Sequence, residues 1–156
     1  MKKIALFALV ALLIFTLASC GDKTLEKDGF TITLPATFID MTTLADGVVA
    51  NYATVTGSMV VTVIKTPFSE LSDDMTAYDF AELLVNGNGF DTEIQNTADC
   101  ASFAYNYDVE GEEYTYLAFC YVGKDGYWFV TFACPSNDYE KNEAKMREYA
   151  STIIID

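Results

Sequence analysis

The chain has 156 residues, 51 % of them apolar, including eleven Phe and ten Tyr. That is one domain's length, with enough apolar surface for a core that needs no disulfide staples. Nine basic residues stand against 23 acidic ones, a balance that argues against phosphate-backbone binding, and the absence of histidine excludes Ser-His-Asp and Cys-His catalysis within one chain and imidazole-based zinc sites.

The first twenty residues read MKKIALFALVALLIFTLASC. Lys2 and Lys3 give a basic start. Ile4 to Leu17 is a 14-residue run, apolar except for Thr16, and the small Ala18 and Ser19 precede Cys20. These are the parts of a secretory signal peptide, and the run is short for a membrane-spanning helix. Leu-Ala-Ser-Cys at 17–20 resembles the bacterial lipobox. The resemblance implies that the Cys20 sulfur receives a diacylglycerol and that cleavage before Cys20 makes it the amino terminus. An ordinary signal peptide with an incidental cysteine is the alternative. Two acyl chains hold where one is marginal, since each buried methylene contributes about 0.8 kcal/mol. The expected organisation is a signal peptide over 1–19, a lipidated Cys20 and tether over 20–28, and one domain over 29–156. The resemblance further implies that the membrane partner is reached through the lipid on Cys20, on the extracytoplasmic side of a bacterial envelope. Beyond Cys20 seven basic residues face 23 acidic ones, a charge of −16. That suits solubility and repels anionic headgroups. As a tether, GDKTLEKD would reach at most about 28 Å.

In GFTITLP, Phe30, Ile32 and Leu34 alternate with Thr31 and Thr33, the period of a strand. FIDMTT after Pro35 reads as a short extended or turn segment. VVANYATV and SMVVTVIK flank Thr56-Gly57 and predict a hairpin. The period then changes. Ala77, Phe80, Ala81 and Leu84 fall on one face of a helix over 75–86, with Asp73 and Asp74 at its start, Gly87 at its end, and Asp79 and Glu82 towards water. FDTEIQNT alternates again. CASFAYNYDV and EYTYLAFCYV are joined through Glu110-Gly111, and YWFVTFACP follows GKDG, which predicts a three-strand meander. A last helix over 138–151 carries the stripe Tyr139, Met146, Tyr149, Ala150 and Ile153. Asn137 with Glu140 fits the outline of a capping box at its start.

Pairing Val109 with Glu112 sets Tyr107 opposite Tyr114 and Tyr105 opposite Tyr116. Pairing Val122 with Tyr127 sets Leu117 opposite Phe132 and Phe119 opposite Val130. One sheet face then holds Leu117, Phe119, Trp128, Val130 and Phe132. The other holds Phe103, Tyr105, Tyr107, Tyr114, Tyr116 and Phe129. Both faces are apolar, so each calls for a cover, and the two helices are the candidates. The fold class is α+β, an antiparallel β-sheet with helices packed on both faces. GFTITLP, the early hairpin, the mid-chain helix, the meander and the closing GYWFVTFACPSNDYEKNEAKMREYASTI resemble the PsbP-like α/β/α sandwich over residues 29–155. That fold takes its name from an extrinsic photosystem subunit and is shared by a Ran-binding import factor. The resemblance brings no catalytic signature, and fold likeness alone gives no function.

Cys100, Cys120 and Cys134 remain after Cys20, and at most one pair can bridge. The registers bring only Cys100 and Cys120 near each other, pointing to opposite faces. Buried free thiols are the plainer reading and a Cys100–Cys120 bridge the alternative. The tyrosines at 105, 107, 114 and 116 are either sheet-stabilising pairs or an aromatic platform for a sugar or peptide. Asp108, Glu110, Glu112 and Glu113 crowd a turn without the ligand spacing of a calcium loop, and NGNGFD at 86–91 only echoes one. They read as a solvated tip, and no metal or cofactor is implied. Gly-x-Ser-x-Gly, Ser-x-x-Lys and the Walker glycine loop are all missing, so no catalytic residue is assigned. The preferred reading is a lipid-anchored, non-catalytic binding or accessory module with a protein or small-ligand partner. The alternatives are a structural subunit of an envelope assembly and a carboxylate-dependent hydrolase.

Overall fold

Phe30, Ile32 and Leu34, which mark GFTITLP as a strand, are all completely buried. In the computed structural model, which describes residues 21–41 and 45–156, they form β2 (Phe30–Pro35). Cys20 and the segment before it lie outside the described residues. The tether expected up to residue 28 is corrected here, because Asp22–Lys27 is a strand, β1, paired antiparallel with all of β2. The turn between them is Asp28-Gly29, with φ of 51° and 88°. Two successive positive φ values make the tight turn whose twist matches that of the strands.

The main sheet has seven strands. They are β3 (Phe38–Asp40), β4 (Val48–Thr54), β5 (Val60–Pro67), β6 (Gln95–Asn96), β7 (Ala101–Val109), β8 (Glu112–Val122) and β9 (Gly126–Pro135), in the spatial order β3-β4-β5-β9-β8-β7-β6. All pairings are antiparallel. The meander has the register read from the sequence: Tyr107 faces Tyr114, Tyr105 faces Tyr116, Leu117 faces Phe132 and Phe119 faces Val130. FDTEIQNT is strand only at β6. Phe90, Thr92 and Ile94 are half-buried while Asp91 and Glu93 are exposed, so its alternation marks burial without a ladder.

Helix α1 (Ala77–Asn88) begins two residues later than expected. Its cap is Thr76, whose hydroxyl accepts the Asp79 N–H while the Asp79 carboxylate accepts the Thr76 N–H, a capping box in which Asp73 and Asp74 take no part. It ends at Gly89 in the left-handed conformation, where the expected Gly87 lies inside the helix. Helix α2 (Tyr139–Ala150) is entered through a 3-10 turn at Ser136–Asp138, and its N-terminal residue Asp138 makes no side-chain cap bond. The capping box read at Asn137 and Glu140 is not formed. Beyond it, β10 (Ile154–Ile155) pairs with the other edge of β2, so β1-β2-β10 is a second, three-stranded sheet.

Two cores result. Between the main sheet and the layer of β2 and α2 lie Phe30, Ile32, Leu34, Val61, Val63, Leu117, Trp128, Val130, Phe132 and Met146, all at most 1 % exposed. On the opposite face α1 sets Phe80, Ala81 and Val85 against Phe103, Ala118, Cys120 and Tyr127. Each such large apolar side chain contributes about 1.5–3 kcal/mol by leaving water. The architecture is α+β with a helix on each face, as expected, and the second sheet shares the α2 side. Among the described residues no helix is long and apolar enough to cross a membrane.

Candidate functional site

Helix α1 packs on β7 and β8 and reaches Tyr127 of β9 through Phe80. Gly89 turns the chain so that Phe90 lies flat on Tyr105, ring centres 4.1 Å apart and 14° between planes. Tyr105 in turn stacks on Tyr116 at 5.0 Å and 9°. The four-tyrosine group is thus divided. Tyr105 lies between Phe90 and Tyr116 in a three-ring stack, while Tyr107 is 59 % exposed and Tyr114 half-buried beside it. Burial pushes the Tyr105 phenol far above its ordinary value, and the nearby phenol of Tyr116 and thiol of Cys120 add to the shift. Burial also raises Tyr116, with Tyr114 and Tyr107 adding to it. These rings stay neutral and serve as surfaces and hydrogen-bond donors, not bases.

A cleft of about 570 Å³ opens beside the stack. It is lined by Ala104, Tyr105 and Asn106 of β7, by Asp91, and by Tyr139 and Glu140 of α2. A polar chain runs along it. The Thr115 hydroxyl lies 2.9 Å from both Asn106 Oδ1 and Ser136 Oγ, and the Asn106 amide donates to Glu113 Oε2 at 3.2 Å. Thr115 is itself 7 % exposed, so its hydroxyl finds its partners in these side chains. Three carboxylates, Asp91, Glu113 and Glu140, line this cleft and no basic side chain does. A wider opening, about 700 Å³, lies at the far end of the sheet between Lys27, Asp28, Asp40 and Lys65. There Lys65 is held by Asp125 at 2.8 Å and sits 5.1 Å over the Trp128 ring, so its charge is already engaged.

Asp108, Glu110, Glu112 and Glu113 all sit exposed at the β7–β8 turn. Each bond they make is local: Asp108 accepts the Gly111 N–H, Glu112 accepts the Tyr114 hydroxyl and Glu113 accepts from Asn106. Among the described residues no three His, Cys, Asp or Glu side chains are placed to hold a metal ion. Cys100, Cys120 and Cys134 are free thiols. Cys120 lies in the α1-side core and Cys100 packs against the other one, on opposite faces as the register required. Burial raises both Cys120 and Cys134, so neither is poised as a thiolate. The cleft itself was not visible in the sequence, since it joins residues 91, 106, 113 and 136–140 from four separate segments.

The architecture is shared by solved structures. The chain aligns with cyanobacterial PsbP from Synechocystis sp. PCC 6803 at a TM-score of 0.52 and 12 % identity, over 87 % of this chain and 93 % of that one. This is the PsbP-like fold. The Ran-binding protein Mog1p of Saccharomyces cerevisiae also aligns, at a TM-score of 0.56 and 10 % identity, over 88 % of this chain and 96 % of that one. A Bacteroides thetaiotaomicron protein gives a TM-score of 0.56 at 13 % identity over 82 % of this chain, which spans 45 % of that longer protein. No family model matches the sequence, and no curated protein matches it. At these identities the PsbP-like fold is what is shared, and the cleft must be read from its own residues.

Proposed function

We propose that the protein is a lipid-anchored, extracytoplasmic binding or accessory module that holds a partner without transforming it. The observation that carries this reading is the aromatic end of the β7–β8 hairpin. An exposed Tyr107 and a half-buried Tyr114 lie next to a rigid Phe90–Tyr105–Tyr116 stack and an acidic, hydrogen-bonded cleft. Tyr offers a large apolar surface with a polar tip and loses little entropy on contact, which suits binding. Its neighbours offer neutral phenols, an amide and carboxylates, without a histidine or an activated thiol to start a reaction.

The anchoring part rests on Leu-Ala-Ser-Cys at 17–20. With β1 starting at Asp22, only Gly21 separates a lipidated Cys20 from the folded domain, so the bound surface would be presented close to the bilayer. The mass of the membrane-extracted protein tests this part, and the expected product begins at a diacylglyceryl Cys20. A photo-crosslinking residue at position 107 tests the binding part. The expected result is one recurrent partner in cells, and its absence at both 107 and 114 would remove the reading.

A further inference from the structure

The edge of the main sheet at β7 is left half-built. β6 pairs only with Ala101 and Ser102, so from Phe103 to Val109 the one strand neighbour of β7 among the described residues is β8. Which backbone groups point outward follows from the turns. Glu110 and Gly111 both have positive φ, 56° and 91°, the two-residue turn in which the flanking pair, Val109 and Glu112, exchanges hydrogen bonds. Alternation along the ladder then gives the odd-numbered residues of β7 to β8. The other end agrees, for the Thr97 N–H donates to the Cys100 C=O at 2.9 Å, which turns even-numbered residues towards β6. The N–H and C=O groups of Ala104, Asn106 and Asp108 therefore point off the sheet. Asn106 and Asp108 are exposed, and Ala104 and Asn106 line the 570 Å³ cleft.

We infer that this edge takes up an extended peptide as an added strand alongside Ala104, Asn106 and Asp108, with a lysine or arginine side chain reaching Asp91, Glu113 and Glu140. The inference rests on the reading of the chain as a binding module and names the class of its partner. Main-chain bonds to Ala104, Asn106 and Asp108 supply affinity, and the carboxylates supply the choice of side chain. Charge complementarity selects the occupant: three carboxylates and no cation line the cleft, and Asp108 lies on the same edge. A second copy of this edge would set acid against acid, so self-pairing is disfavoured. Like charges on an edge are a known guard against that outcome.

The test uses capped ten-residue peptides that alternate Lys with Val, followed by fluorescence anisotropy at low salt. The Lys peptide is expected to bind at least tenfold tighter than its Glu counterpart and to weaken as salt rises. N-methylation of alternate amides in one register is expected to abolish binding, and the complementary register to retain it, because only one edge of the peptide faces β7. In the protein, Asn106→Pro removes an outward N–H without touching the ladder to β8, so the fold should persist. It should lose peptide binding more than tenfold, whereas Asn106→Ala, which keeps the N–H, should lose less. Equal binding of the Lys and Glu peptides, equal loss from both methylated registers, or unaltered binding by Asn106→Pro overturns the inference. A concentration-dependent dimer that Asn106→Pro abolishes overturns it too. A partner crosslinked at position 107 whose capture survives Asn106→Pro would overturn it while leaving the binding-module reading in place.

Discussion

Tyr127→Phe isolates one hydroxyl group in the α1-side core. Tyr127 is fully buried. Its ring stacks on Phe80 at 4.9 Å and meets Phe68 edge-on at 5.0 Å. Its hydroxyl donates to the Ser72 C=O at 2.7 Å and accepts the Met75 N–H at 3.1 Å. That one oxygen ties the segment leading into α1 to the sheet. Phenylalanine keeps the ring contacts and removes both bonds, so the loss is the hydrogen-bond contribution alone. Each bond contributes about 1 kcal/mol net, and Ser72, being exposed, recovers part of its bond from water. The expected destabilisation is about 1–2 kcal/mol, a fall in Tm of roughly 3–8 °C at this size. Urea unfolding followed by Trp128 fluorescence should show a lower midpoint with an unchanged slope. Amide exchange at Met75 and the first turn of α1 should quicken more than exchange in β5. A stability loss under about 0.3 kcal/mol with unaltered exchange at Met75 would show that the hydroxyl does not hold α1 on the sheet.

Gly126→Ala places a Cβ 2.6 Å from the Thr66 carbonyl oxygen and 3.1 Å from the Pro67 Cα; backbone cannot swing aside, so thermal melting should report a loss of about 1–3 kcal/mol. Thr76→Ala should cost about 1 kcal/mol at neutral pH by opening the α1 capping box, read in urea midpoints. The Thr76 hydroxyl and N–H hold the Asp79 carboxyl below its usual range, so this stabilisation is present above the ordinary aspartate value and is lost as pH falls through the lower folded one, from about pH 4 downward. Asp79→Asn should accordingly flatten the acid limb of the Tm–pH curve, and an unchanged limb would refute that assignment. Thiol labelling of the folded protein at mildly alkaline pH should modify the half-exposed Cys100 first, with Cys120 and Cys134 protected until unfolding.

The meander was legible because local rules agree there. Glu110-Gly111 accepts positive φ, and strands rich in aromatic residues admit one register with both faces apolar. β1 was missed for the opposite reason. DKTLEK has a single large apolar residue, Leu25, and charged ends, so composition reads as a tether. The signal that would have found it is Asp28-Gly29, a two-residue turn directly before an alternating strand. The cap of α1 was misplaced because three candidate residues, Asp73, Asp74 and Thr76, precede it, and only Thr76 has an acid three residues on that returns its bond. The aromatic half of the candidate site followed from register. The cleft did not, because Asp91 and Glu140 reach it through tertiary packing that no spacing encodes.

β2 is completed by two strands that lie far apart in sequence. Its outer neighbours are β1, adjacent in sequence, and β10, whose Ile154 and Ile155 meet Thr31 and Phe30. Thr33 also donates its N–H to the Thr152 hydroxyl, 119 residues away. Such distant closure is slow, and it waits until Thr152, Ile154 and Ile155 have been synthesised. A growing chain would therefore stay unlocked, with Phe30, Ile32 and Leu34 uncovered and in need of a chaperone's shelter. For a protein proposed to be exported behind a signal peptide over 1–19, that delay would keep the domain pliable during export.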